Sequence, residues 1–124
     1  MNVIRAFIVG ATIAMLAGCA AAERPDVERV AADFASGDPT SRCALLAPAT
    51  LAAVQRHGPC VAEVVAAEPA GGEVVQSSVW GDQAQVRLSD DTLFLTRTSA
   101  GWKVAAAGCT PNGDLPYNCR LEGP

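Results

Sequence analysis

Five cysteines, a single histidine and thirteen carboxylates carry most of the reactive chemistry available to this 124-residue chain, so their spacing decides what is open to it. A structural metal needs close ligand pairs such as C-x-x-C or additional histidines, and Cys43, Cys60, Cys109 and Cys119 offer neither. No metal site and no cofactor are expected. His57 would have to serve any nucleophile and base pair built on imidazole, and no Gly-x-Ser-x-Gly elbow is present to supply the serine. Its setting, His57-Gly58-Pro59 beside Cys60, reads as a solvated turn. Gly71-Gly72 precedes a strand and lacks the helix start that cradles phosphate. The carboxylates fall on expected helix faces (Asp26, Glu28, Asp33, Glu63) or in turns (Asp82, Asp90, Asp91, Asp114), where solvation explains them. No catalytic residue is therefore assigned. Arg97 differs in sharing strand parity with Leu93 and Leu95, which points it toward the covered side of a sheet or leaves its head in water at the strand end. With Trp80 and Trp102 it makes up the candidate lining of a pocket.

The fifth cysteine has its own context. Leu16-Ala17-Gly18-Cys19 closes an apolar segment with the small-residue pattern of a bacterial lipobox. Arg5 provides the positive start, and the twelve residues from Ala6 to Ala17 are interrupted only by Gly10 and Thr12. That run is shorter than the roughly 20 residues a spanning helix needs, and Glu23 and Arg24 follow closely. The expectation is a signal peptide over 1–18, cleavage before Cys19, and acylation of its thiol, with palmitate-type chains tethering the protein to the outer face of the cell membrane. Cysteine parity supports this, because lipidation of Cys19 leaves four cysteines free to pair. Two acyl chains on one residue hold stably where one does so marginally, at about 0.8 kcal/mol per buried CH₂.

Cleavage would leave a chain of roughly a hundred residues, one domain with a single core. Net charge is −4, more acidic once Arg5 is removed, so the basic patch that nucleic-acid binding requires is missing and nucleic acid is not an expected partner. The four remaining cysteines allow three connectivities. Local pairing, Cys43 with Cys60 and Cys109 with Cys119, is favoured because each pair brackets one turn-rich segment; a loop of this length contributes about 3 kcal/mol.

The elements that would position these residues divide into two halves. After a tether over 19–24, Pro25 fits a first helical position, and Val27, Val30, Ala31 and Phe34 follow the i, i+3, i+4, i+7 spacing of a buried helix face. Gly37 is placed to end that helix. Asp38-Pro39 opens a second through Cys43, Leu45 and Leu46. Pro48 interrupts it, a further piece covers Thr50 to Arg56, and Cys60 to Ala67 is helical again. After Pro69-Ala70-Gly71-Gly72 the period changes to two. Strands are expected over Glu73 to Trp80, Gln83 to Leu88, Thr92 to Thr98, from Trp102 through Ala106, and briefly from Tyr117 to Leu121. Turns this short imply antiparallel neighbours, a meander. Helices followed by such a sheet make an α+β domain over 25–124.

With Cys-Ala-Leu-Leu-Ala-Pro over 43–48 in the helical half and Gly101-Trp102-Lys103-Val104 late in the meander, the chain resembles small actinobacterial lipoproteins with an NTF2-like (SnoaL-like) domain. That resemblance implies N-terminal helices packed on a curved antiparallel sheet, an NTF2-like or cystatin-like cone with a pocket between. Such folds host isomerases, dehydratases and binding modules, so they do not select an activity. The expected function is a membrane-anchored extracytoplasmic module binding a small apolar ligand or an envelope protein. An NTF2-like enzyme is the alternative, or an inhibitor of a secreted protease or hydrolase that presents an exposed loop over Thr110 to Asn118. A buried carboxylate in the cone would favour catalysis, an apolar cavity a ligand, and a filled core an interaction role.

Overall fold

A computed structural model describes residues 21–61 and 71–123. The anchor segment with Cys19, and the end of the fourth expected helix with Glu63, lie outside the described residues. Residues 21–36 form helix α1. Its buried stripe is Val27, Val30, Ala31 and Phe34, all under a tenth exposed, as the spacing requires. Helix is already present at residue 21, so Pro25 sits inside α1 and not at its first position, and the expected tether is helical over 21–24. Gly37 follows the helix end without a left-handed backbone. Its role is space: a Cβ there would lie 2.8 Å from the Asp33 carbonyl oxygen.

Helix α2 spans Pro39–Ala44, and the Asp38 side chain caps it by accepting a hydrogen bond from the Ser41 N–H at 2.8 Å. That bond holds the Asp38 carboxyl below its ordinary pKa. Helix α3 covers Pro48–Gln55, and Cys60 and Val61 are helical once more. Arg42 is 3% exposed and closes the end of α1 from α2. Its Nε donates to the Phe34 carbonyl and a terminal nitrogen to that of Ala35, both at 2.9 Å, with the guanidinium over the Phe34 ring. These carbonyls belong to the last turn of α1, whose C=O groups have no partner within the helix.

The second half is a five-stranded antiparallel sheet in sequence order: β1 Val74–Trp80, β2 Gln83–Leu88, β3 Thr92–Thr98, β4 Gly101–Asn112 and β5 Leu115–Glu122. Alternation places Ala84, Val86, Leu88, Leu93, Leu95 and Val104 in one core with the α1 stripe. On β4 this alternation is broken where the register shifts between Phe94 and Leu95, so that Ala106 and Ala107 are both buried. Helix α3 is tied to that irregular point, because the Thr50 hydroxyl, 1% exposed, donates to the Ala105 carbonyl at 2.8 Å. Beside it Val104 exchanges backbone hydrogen bonds with Leu45 and Ala47, so the connection from α2 to α3 lies along β4 before β5 begins to pair.

Two disulfides staple the fold. Cys43 is bonded to Cys60, closing α2 and α3 into one unit, and Cys109 to Cys119. The second joins directly opposed residues of β4 and β5, with Cα atoms 4.0 Å apart. Residues 110–118, read from sequence as a turn-rich loop, are mainly paired strand: Thr110 faces Asn118, Asn112 faces Leu115, and only Gly113-Asp114 turn the chain. Pro111 is accommodated where the register shifts and Pro116 on an edge strand, the two places a sheet tolerates proline. Two disulfides in a domain this small fit an oxidising, extracytoplasmic compartment. Among the described residues no helix is long and apolar enough to cross a membrane.

Candidate functional site

The face of the sheet turned away from α1 carries polar side chains at the alternate positions. Arg87 donates to the Gln76 side chain at 3.1 Å and Gln83 to the Thr96 hydroxyl at 3.0 Å. Tyr117 of β5 leans over this face, its ring edge-on to Phe94 with centroids 5.2 Å apart, its hydroxyl 3.4 Å from the Gln85 amide nitrogen. Tyr117 thereby becomes the wall of a shallow groove of about 240 Å³, floored by Gln76, Ser78, Gln85 and Arg87. Next to the disulfide on β4, Gly108 has a φ of +64°, in the left-handed region, and a Cβ there would meet the Arg120 side chain at 3.1 Å. Asp91 holds the same stretch of β4: its carboxylate accepts from the N–H groups of Thr92, Gly108 and Cys109 at 2.8, 3.0 and 3.1 Å. Such a groove offers amide and guanidinium hydrogen bonds and an aromatic wall, and suits a polar or peptidic surface rather than a hydrocarbon.

Of the three residues expected to line a pocket, the structure brings two together and leaves one apart. Trp102 is 6% exposed and packs in the core, and the Arg97 guanidinium lies over its ring, 5.2 Å from the centroid. Glu23 of α1 joins them, accepting from the Trp102 indole N–H at 2.7 Å and pairing with Arg97 at 2.9 Å. Arg97 thus follows the covered-side parity of Leu93 and Leu95, but its head stands at the strand end in contact with an acid, 42% exposed. Trp80 is 52% exposed and alternates to the other face from Val79. Two further hollows flank β1 against α1. One of about 380 Å³ includes Ala32, Ser36 and Glu73, and one of about 350 Å³ includes Arg24, Glu28 and Gln76. Neither contains the tryptophans or Arg97.

His57 is exposed in the turn after α3, and Asp26, Asp33, Asp82, Asp90 and Asp114 are exposed as well. Glu28 is half-buried because it accepts a 2.6 Å hydrogen bond from the Ser77 hydroxyl, linking α1 to β1. Asp91 and Glu23 are the carboxylates that sequence reasoning undervalued. Each looked like a solvated turn or tether residue, and each finds partners far along the chain, Gly108 and Cys109 for Asp91 and Arg97 and Trp102 for Glu23, where spacing carries no signal. Among the described residues no group of three His, Cys, Asp or Glu side chains is placed to hold a metal ion. Compared with protein-family profiles, curated proteins and solved structures, the chain matches none.

Proposed function

We propose that the chain is a lipoprotein of the cell envelope, acylated at Cys19, whose NTF2-like α+β domain binds a protein partner through its surface. The observation that carries the reading is the packed interior. Where α1 faces the middle of the sheet, Val27, Phe34, Val86, Leu93, Leu95 and Val104 are all 0% exposed, so side chains fill that interface, and the hollows left between α1 and β1 lie at its edge. Binding then falls to the outside: the Tyr117 groove, and the adjoining tip of the stapled β4–β5 hairpin, where Leu115 is 66% exposed. A disulfide at Cys109 and Cys119 holds that hairpin in one conformation before binding, which lowers the ordering cost of association. The lipobox at Cys19 and the two disulfides support the location.

The test is site-specific photocrosslinking in native membranes, with a photoreactive residue in place of Leu115, of Gln85, or of the helix-face residue Asp33. Crosslinks to one discrete protein from Leu115 and Gln85, and none from Asp33, are expected. An apolar molecule retained in stoichiometric amount by the purified protein would contradict the reading. So would turnover of a small substrate that His57→Ala abolishes, which would put the enzyme alternative in its place.

A further inference from the structure

We infer that the Trp80 end of the sheet docks on the bilayer that holds the Cys19 anchor, with the Trp80 indole at headgroup level. This rests on the lipid-anchor reading and adds a fixed orientation to it. Trp80 is the last residue of β1 and is 52% exposed, whereas Trp102 is buried with its N–H bonded to Glu23. An indole has an apolar body and one donor, the combination favoured at a membrane–water interface.

The position of Trp80 relative to the anchor follows from a short series of contacts. Gly81-Asp82 turns the chain directly after it, with Gly81 at a φ of +60° in the first turn position, the arrangement of a two-residue hairpin turn. The Asp82 carbonyl accepts the Arg97 N–H at 2.8 Å, and the Asp82 carboxylate stands 3.7 Å from the Arg97 guanidinium. Arg97 in turn pairs with Glu23. Cys19 precedes Glu23 by four residues, which span at most about 14 Å. Glu23 therefore clamps the start of the domain to the sheet end that carries the 81–82 and 99–100 turns. The Gly113-Asp114 turn lies at the other end of β4, a strand of twelve residues that reaches up to about 40 Å. An anchor tied at Glu23 thus holds Trp80 near the lipid and the hairpin tip away from it, free for a partner. Arg97 is paired with Glu23 and Asp82, so the contact is carried by the indole rather than by that guanidinium.

The experiment uses full-length acylated protein reconstituted into phosphatidylcholine vesicles, with and without bromine on the acyl chains near the headgroup. Bromine should quench the tryptophan emission, and the quenched component should vanish in Trp80→Phe, while both proteins float with the vesicles on their acyl chains. A Leu115→Trp substitution in the Trp80→Phe chain places the indole at the far end and should restore emission that bromine leaves unquenched. If the protein floats but wild type and Trp80→Phe are equally unquenched, or the Leu115→Trp indole is quenched, the orientation is wrong and the anchor stands. If intact mass finds no acyl chain and the protein does not float, the anchor reading fails and takes the orientation with it.

Discussion

Arg42 and Asp38 show how single polar side chains hold this fold together. The guanidinium of Arg42 satisfies two carbonyls at the end of α1 while almost fully buried, so Arg42→Met should leave them without a partner. A loss of about 2–3 kcal/mol in denaturant unfolding is expected, since bonds to a charged donor and the desolvation of the orphaned groups both count. Lysine should recover only part of it, having no planar fork to reach both oxygens. Asp38 acts through pH. Its carboxyl pKa is lowered in the folded protein by the Ser41 N–H, so the cap contributes fully above the ordinary carboxylate range and is lost as pH falls through the lowered pKa. Asp38→Asn keeps an acceptor but has no charge to lose, and thermal melts from pH 6 to pH 2 should show a smaller acid loss in that variant than in wild type. The cap was legible in Asp38-Pro39, a local signal. Arg42 was not, because its partners belong to another helix, and the Glu23 contacts with Trp102 and Arg97 escape spacing for the same reason.

At the scale of elements, the core stripe of α1 and the inward residues of β2 and β3 follow their periodicities closely, because burial on one face is what those periods encode. Phe34 anchors the stripe at 0% exposure. Phe34→Ala should cost about 3–5 kcal/mol, read as a lower midpoint in urea. The β4–β5 hairpin was the least legible element. Pro111, Gly113 and Pro116 each look like breakers in isolation, and the strands form around them through a register shift, a two-residue turn and an edge position. What holds them paired is the local bond between Cys109 and Cys119 together with a partner from farther along the chain, the Asp91 carboxylate on the backbone of Gly108 and Cys109. The helix start was missed for a different reason. Proline marks a first turn when it follows a cap, whereas Ala20 to Glu23 has no capping residue to set one there.

For the whole molecule, the α+β architecture follows from the change of period after Gly72, while the site does not, since the groove depends on Tyr117 bending over from the last strand. One end of the sheet is joined to α1 at Glu23 and the other ends in a stapled hairpin. The proposed location and orientation depend on an anchor at Cys19. Intact-mass measurement of the protein extracted from native membranes, before and after reduction, tests that most directly. Expected are a chain beginning at acylated Cys19, a mass gain on reduction equal to two disulfides, and an unprocessed precursor for Cys19→Ala. Wild-type protein found without acyl chains, or with its signal segment still attached, would contradict it.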